Sequence, residues 1–285
     1  MQIETFYDEK THTLTYLVID PDTRDTVVID PVWDYDQGRS LLSCTSAKRV
    51  VDMIESRQLR PVLVLETHAH ADHISSAQWF KKMYGIPIAI GERITEVQTT
   101  FKDPLGFGGD FTTDGKQFDH LLRDGQKFSA GSLTFEVIAT PGHTPACSCY
   151  RFGNHIFTGD CLFMPDSGTG RCDFPGGSAS ELYNSVARKL YKLPDDVLAY
   201  TGHDYQPAGR SLKWQSSIAE QKASNIHIKE TTTEDEYVQF RTQRDRTLSP
   251  PQLLYQSLFV NLNGGTLPPK NKTGRRFLQI PISEG

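Results

Sequence analysis

Val62-Leu63-Val64-Leu65-Glu66-Thr67-His68-Ala69-His70-Ala71-Asp72-His73 runs from an apolar stretch of strand length straight into four side chains able to bind a metal. Four such groups within six residues, on the loop leaving a strand, meet on one cation only if the loop turns them inward. An ordinary surface loop has no reason to stack them. Three further candidates occupy the same kind of place. His143 lies in Thr140-Pro141-Gly142-His143-Thr144-Pro145 after the strand-like residues 133–138, Asp160 in Thr158-Gly159-Asp160 after 155–157, and His203 after 197–200. Strand ends on one rim would thus gather five imidazoles and two carboxylates, a set that suits one or two transition-metal ions. His12, His120, His155 and His227 fall outside these motifs and read as ordinary hydrogen-bonded or solvated side chains.

Working outward, the first third alternates strand and helix signals: strands at 13–19, 26–30 and 61–65, and an amphipathic helix at 47–59. A helix over 72–84 stopped by Gly85 and a strand at 87–90 follow. Residues 95–120 scatter Pro104 and four glycines among phenylalanines, which reads as a long ordered loop or insertion. Strands 149–152 and 155–158 meet at Gly153-Asn154 as a hairpin. Ser178 and Glu181 have capping-box spacing, and Leu182, Val186 and Leu190 share the face of the helix they start. Beyond His203 the chain reads as mostly helical to about residue 260, with Thr233 and Glu236 marking another helix start, and then as extended. With neither a repeat nor a linker, the expectation is one α/β (α+β) domain over 1–285, with an insertion near 95–120 and a helical, then extended, part over 206–285.

The 285 residues, 37% hydrophobic and 23% charged, can bury a sizeable core. Thirty basic against thirty-five acidic side chains, with no basic block, argue against a nucleic-acid partner. Apolar runs of four or five residues fall far short of the roughly 18 a bilayer demands, so no membrane association is expected. The N-terminus carries early acids and no arginine, unlike a secretory or organellar leader. Five cysteines, odd in number and in no CxxC pattern, suit a reducing cytoplasm. A homodimer is compatible with the sequence, although no pattern asks for one.

His68-x-His70-x-Asp72-His73 followed by His143, Asp160 and His203 resembles the full signature of the metallo-β-lactamase superfamily. The resemblance implies an αβ/βα four-layer sandwich with its site at the rim between two sheets. His70 separates the chain from the diiron flavoprotein branch, which carries Glu in that slot. A narrower likeness rests on Leu162-Phe163-Met164, Gly170-Arg171-Cys172-Asp173-Phe174, Ser185, Leu193-Pro194 and Gly202-His203-Asp204-Tyr205. These are similar to the persulfide dioxygenases, also called sulfur dioxygenases or ethylmalonic-encephalopathy-protein-like enzymes, in their bacterial form.

That resemblance implies one Fe(II) per chain held by His68, His143 and Asp160. Two histidines and one carboxylate leave three iron positions open, so that glutathione persulfide and O2 can bind side by side and yield sulfite and glutathione. His70, Asp72, His73 and His203 would then orient ligands and bind water, or hold a second metal. A glyoxalase II-like hydrolase with one or two zinc ions uses the same seven side chains on glutathione thioesters, so the ligands alone leave both readings open. A protein that binds or senses persulfides without turnover is a third. Glutathione brings two carboxylates, which makes Arg171, Tyr205, Arg210 and Lys213 candidates for holding it. His227 joins them because it stands where animal members carry arginine. Arg171 has a second reading, in which it pairs with Asp173 or a backbone carbonyl. The cysteines read either as packing residues or as a persulfide relay.

Overall fold

In the computed structural model, which describes residues 1–282, strand β6 lies in the middle of the first of two six-stranded sheets. In chain order the strands are β1 (Gln2–Asp8), β2 (Thr13–Ile19), β3 (Asp25–Ile29), β4 (Val32–Asp36), β5 (Leu41–Ser43), β6 (Arg60–Leu65), β7 (Ile74–Ser75), β8 (Ile88–Gly91) and β9 (His120–Leu122). Then come β10 (Lys127–Ala130), β11 (Leu133–Ala139), β12 (Ser148–Phe152), β13 (His155–Gly159), β14 (Leu198–Thr201) and β15 (Gln215–Ser217). The first sheet has the order β1-β2-β3-β6-β8-β9 and the second β10-β11-β12-β13-β14-β15, while β5-β4-β7 form a small third sheet. The helices are α1 (Thr45–Ser56), α2 (Ala77–Tyr84), α3 (Ile94–Lys102), α4 (Ala179–Tyr183), α5 (Ile218–Ser224), α6 (Glu234–Asp245) and α7 (Leu254–Asn261).

Alternation within β6 shows how the layers form. Leu63 and Leu65 point into a core shared with Phe135, Val137, Tyr150 and Phe157 of the second sheet. Val64 points the other way, into a core with Val50 and Ile54 of α1, Phe80 of α2 and Val97 of α3. On the far side of the second sheet, Ile156 and Ala199 pack against Leu182, Val186 and Leu190. The result is the four-layer αβ/βα sandwich that the family resemblance implies. Strands β3, β6, β8 and β9 run parallel, as do β13 and β14. Their C-terminal ends therefore share one rim. There Leu14 N–H donates to the Gly202 carbonyl at 2.8 Å and joins the two sheets.

Several elements differ from the sequence reading. Helix α2 starts at Ala77 rather than 72, because Ile74 and Ser75 pair with Trp33 and Val32 of β4 and the preceding residues turn inward. Its end at Gly85 in the left-handed conformation (φ 68°) is as expected. The supposed loop over 95–120 begins with α3, whose Ile94, Val97, Gln98 and Phe101 are buried at helical spacing. Strand β15 interrupts the stretch expected to be helical. The Ser178 cap and the Thr233/Glu236 capping box form, and the helix opened by Ser178 continues through a π-helical turn over Asn184–Lys189. Of the segment expected to be extended at the C-terminus, 283–285 lie outside the described residues.

Candidate metal centre and its cavity

Strands β6, β11, β13 and β14 each end at the rim and hand over their motif: residues 66–73, His143, Asp160 and His203 respectively. The ligand atoms of His68, His143 and Asp160 lie within 4.8 Å of one another, and those of His70, Asp72, His73 and His203 form a second such group. Asp160 faces both groups. Its Oδ2 is 3.9 Å from His68 Nε2 and 3.7 Å from His143 Nε2, while Oδ1 is 3.4 Å from His203 Nε2. Two glycines make room. A Cβ on Gly170 would stand 2.2 Å from the Asp160 carbonyl oxygen, and one on Gly202 would stand 2.8 Å from Asp160 Oδ1.

Hydrogen bonds decide which nitrogen each ring presents. The Thr67 hydroxyl donates to Asp30 Oδ2 at 2.8 Å, so it can only accept from His68 Nδ1 at 3.0 Å. His143 Nδ1 lies 2.6 Å from the Arg171 carbonyl, an acceptor only, and must carry the proton. Both rings are therefore left with an Nε2 lone pair, the tautomer a metal ligand needs. Burial, followed by repulsion from His70 and His143, pushes the His68 imidazole well below its usual range and keeps it neutral. Nδ1 of both His73 and His203 sits against Thr13 Oγ1, at 3.3 and 3.4 Å.

His70 is held differently. Its Nε2 lies 3.1 Å from Asp30 Oδ1 and 3.3 Å from Glu66 Oε2, making a third buried cluster. Burial alone would lower the His70 imidazole, but the two carboxylates outweigh it and hold it well above its usual range. Burial pushes Glu66 up to about 7. Burial also works against ionised Asp30, but His70 and two bonds from Thr67 outweigh it and keep its carboxyl low. Burial disfavours ionised Asp72 too, and His203 and His73 overcome it.

His68 Nε2, His73 Nε2, His203 Nε2, Asp72 Oδ2 and Asp160 Oδ1 are buried with no hydrogen-bond partner among the described residues. Each buried polar atom left so costs about 1–3 kcal/mol, more if charged. These atoms fall in the two groups, His68 Nε2 with His143 and Asp160 in one, and His73 Nε2, His203 Nε2 and Asp72 Oδ2 in the other; a cation in either group would satisfy that group's atoms, so the residues fit a metal.

Beside them opens a cavity of about 350 Å³, within the roughly 300–1,000 Å³ of small-molecule sites. Asp72, His143, Asp160 and Phe163 line it, as do three of the expected substrate residues, Arg171, Tyr205 and His227. The Arg171 guanidinium forks onto Asp173 and also donates to the Ser249 carbonyl. Arg210 and Lys213 are not brought to this cavity. Asp166 and Asp204 claim the Arg210 guanidinium, and Lys213 lines a separate depression with Asp166 and Glu220.

Sequence reasoning missed Asp30, Glu66, Arg241 and Arg244. Asp30 was legible only as the residue ending a strand, and the two arginines gave no signal beyond lying on a helix. The thiols of Cys147, Cys149, Cys161 and Cys172 are buried; burial pushes Cys147 up to about 12 and Cys161 well above its usual range. Burial that keeps the Cys147 and Cys161 thiols protonated makes them poor nucleophiles and suits them to packing. No helix is long and apolar enough to cross a membrane, among the described residues.

Two stacked sheets presenting these ligands at one rim define a metal-dependent enzyme of a particular class, and comparison agrees. The chain belongs to the metallo-beta-lactamase superfamily, whose match covers residues 9–203. It is 44% identical to "Glyoxylase B2" of Dictyostelium discoideum over 99% of this chain and 97% of that one. It is 30% identical to human "Persulfide dioxygenase ETHE1, mitochondrial" over 90% of this chain and 86% of that one. The crystal structure of ETHE1 from Myxococcus xanthus superposes with a TM-score of 0.74 at 30% identity, covering 93% of this chain and all of the other.

Proposed function

We propose that the protein is an Fe(II)-dependent persulfide dioxygenase acting on glutathione persulfide in a reducing compartment. The observation that carries this reading is the convergence of His68, His143 and Asp160, with both rings locked in the ligating tautomer, beside a cavity lined by the Gly170-Arg171 segment. Two nitrogens and one carboxylate oxygen are the donor set of mononuclear iron oxygenases. Likeness to two proteins named ETHE1, one of them a persulfide dioxygenase, supports the same choice.

The overall change balances: glutathione persulfide, O2 and water give glutathione, sulfite and two protons. Iron(II) in this setting supplies the one-electron chemistry that O2 needs in order to react with sulfur. The protein's own groups do the rest. Thr67 and the Arg171 carbonyl hold His68 and His143 in register. Phe163 and the ring of Tyr205, which stacks on His203 at 5.6 Å, wall off one side. On this reading Asp72 and His203, with His203 Nε2 3.3 Å from Asp72 Oδ2, orient water.

A second reading also has an observation behind it. Asp72, His73 and His203 form a set of their own that Asp160 Oδ1 completes, which suits a two-zinc hydrolase of glutathione thioesters, and one relative bears the name "Glyoxylase B2". Metal analysis of anaerobically prepared protein, with O2 uptake on glutathione persulfide and hydrolysis of S-lactoylglutathione, separates the two. About one iron per chain with O2 uptake supports the dioxygenase, whereas about two zinc with thioester hydrolysis and no O2 uptake refutes it. In the dioxygenase, His143→Ala loses metal and activity together while His73→Ala retains most of the iron; equal loss in both variants contradicts a mononuclear site.

A further inference from the structure

Helix α6 carries an ion pair that is almost wholly buried: Arg241 is 1% and Asp245 5% exposed, and Arg241 Nη2 donates to Asp245 Oδ1. Four residues apart, the two share one face of the helix. Burying two charges adds little net stability, so the pair is better explained by what else it holds. Both members reach the segment from Thr169 to Cys172. Asp245 Oδ2 accepts from the Cys172 N–H at 2.8 Å, and Arg241 Nη1 donates to the Thr169 carbonyl at 3.2 Å. That segment belongs to no helix or strand, so no ladder of backbone hydrogen bonds fixes it. It nevertheless bears on the metal centre: His143 Nδ1–H donates to the Arg171 carbonyl at 2.6 Å, and Gly170 N–H to the Asp160 carbonyl at 3.1 Å. The Arg171 carbonyl and the Cys172 N–H are the two ends of a single peptide group. It is planar and trans, so its oxygen and hydrogen point in opposite directions. Asp245 thus grips one side of the peptide plane whose other side holds His143.

We propose that Asp245, held by Arg241, is a positioning residue for the metal ligand His143 and acts on it through the Arg171–Cys172 peptide group. This rests on His143 ligating a metal, which the iron and the zinc readings share. A carboxylate bonded directly to a ligand histidine fixes its tautomer and raises the basicity of the ligating nitrogen. Here a peptide dipole stands between the two. The carboxylate polarises the Cys172 N–H, the Arg171 carbonyl becomes a stronger acceptor, and the His143 Nδ1 proton is held more firmly, which leaves Nε2 the better ligand. Arg241 neutralises a carboxylate that would otherwise be costly to bury, and through the Thr169 carbonyl it holds the other end of the segment. An ion pair that merely tied α6 to this segment would affect folding stability and leave metal affinity alone.

Anaerobic competition of Fe(II) against a chelator tests this without turnover, on two double variants that both lack the buried charges. Arg241→Met with Asp245→Asn keeps an acceptor for the Cys172 N–H, and Arg241→Met with Asp245→Leu does not. The first should bind Fe(II) about 10-fold more tightly than the second, the low end of what losing an outer partner of a ligand costs. Ile54→Ala, in the core between α1 and the first sheet, should lower stability in urea unfolding and bind Fe(II) as wild type does. Equal affinities in the two double variants, or the same loss in Ile54→Ala, overturns the proposal. Zn(II), being diamagnetic, extends the test to the unaltered protein by NMR: on loading, the Cys172 amide proton should move downfield as the line of hydrogen bonds tightens. A Cys172 amide proton that does not respond overturns the proposal without any variant. Because affinity rather than oxidation is read, a protein that proves to be a two-zinc hydrolase refutes the dioxygenase reading and leaves this role of Asp245 standing. An iron dioxygenase whose two double variants bind metal alike refutes the role of Asp245 alone.

Discussion

Replacing Thr67 by Val deletes one oxygen from the line Asp30–Thr67–His68 and keeps the shape. Shape matters at this position, because a Cβ on Gly159 would stand only 2.5 Å from Thr67 Oγ1, which shows how closely β13 packs on the side chain. Asp30 keeps the Thr67 backbone N–H at 2.7 Å and loses the hydroxyl at 2.8 Å, while His68 Nδ1–H loses its acceptor at 3.0 Å. Two consequences follow. An unsatisfied buried donor costs about 1–3 kcal/mol of folding stability. A His ligand freed to rotate or change tautomer loses about 10–100-fold in metal affinity, or about 1.4–2.7 kcal/mol. Anaerobic competition of Fe(II) against a chelator reads the second and urea unfolding of the metal-free protein reads the first. Thr67→Ser, which restores the hydroxyl, should recover most of the affinity. A folded Thr67→Val protein that binds metal as tightly as wild type refutes the claim that this hydroxyl sets the ligand.

Leu182 is fully buried, and truncation to Ala should cost about 2–5 kcal/mol in urea unfolding while leaving metal content intact. Gly202→Ala places a Cβ 2.8 Å from Asp160 Oδ1 and 3.0 Å from the Gly159 backbone carbon, neither of which can yield freely, so metal analysis should show reduced occupancy. His227 has a folded pKa near 3 against about 6.5 unfolded, so the unfolded chain binds more protons between those values. Its contribution is therefore full above pH 6.5 and is lost as pH falls toward 3. With solvent screening it amounts to on the order of 2–4 kcal/mol, and His227→Gln should flatten the pH dependence of stability in that window. An unaltered slope would show that the imidazole is not held neutral.

Much of the site was readable because its chemistry is concentrated in short motifs that follow apolar strand signals. His68, His143 and Asp160 come together from three strand ends, as that pattern requires. Less local features were not readable. The early residues of the expected helix at 72 are pulled out of helical conformation by β4 and by Asn261, whose Oδ1 accepts from Ser75 N–H at 2.9 Å and whose amide donates to the His70 and His73 carbonyls. Those partners are remote in the chain. Arg210 looked available for a carboxylate of glutathione because it is a basic side chain, but Asp166, 44 residues away, and buried Asp204 neutralise it.

The sequence by itself determined which side chains meet at the rim and in what order, since a parallel strand delivers whatever follows its C-terminal end. Only the tertiary structure decided which atom each side chain offers and which charges remain free. Thr67 and Asp30 orient His68, a carbonyl of the Gly170–Phe174 motif orients His143, and Asp173 and Asp245 occupy two cavity arginines while Arg244 keeps its charge. A hydrogen bond or ion pair forms only within about 3–4 Å, and that proximity is created by packing two sheets and α6 together, not by spacing along the chain.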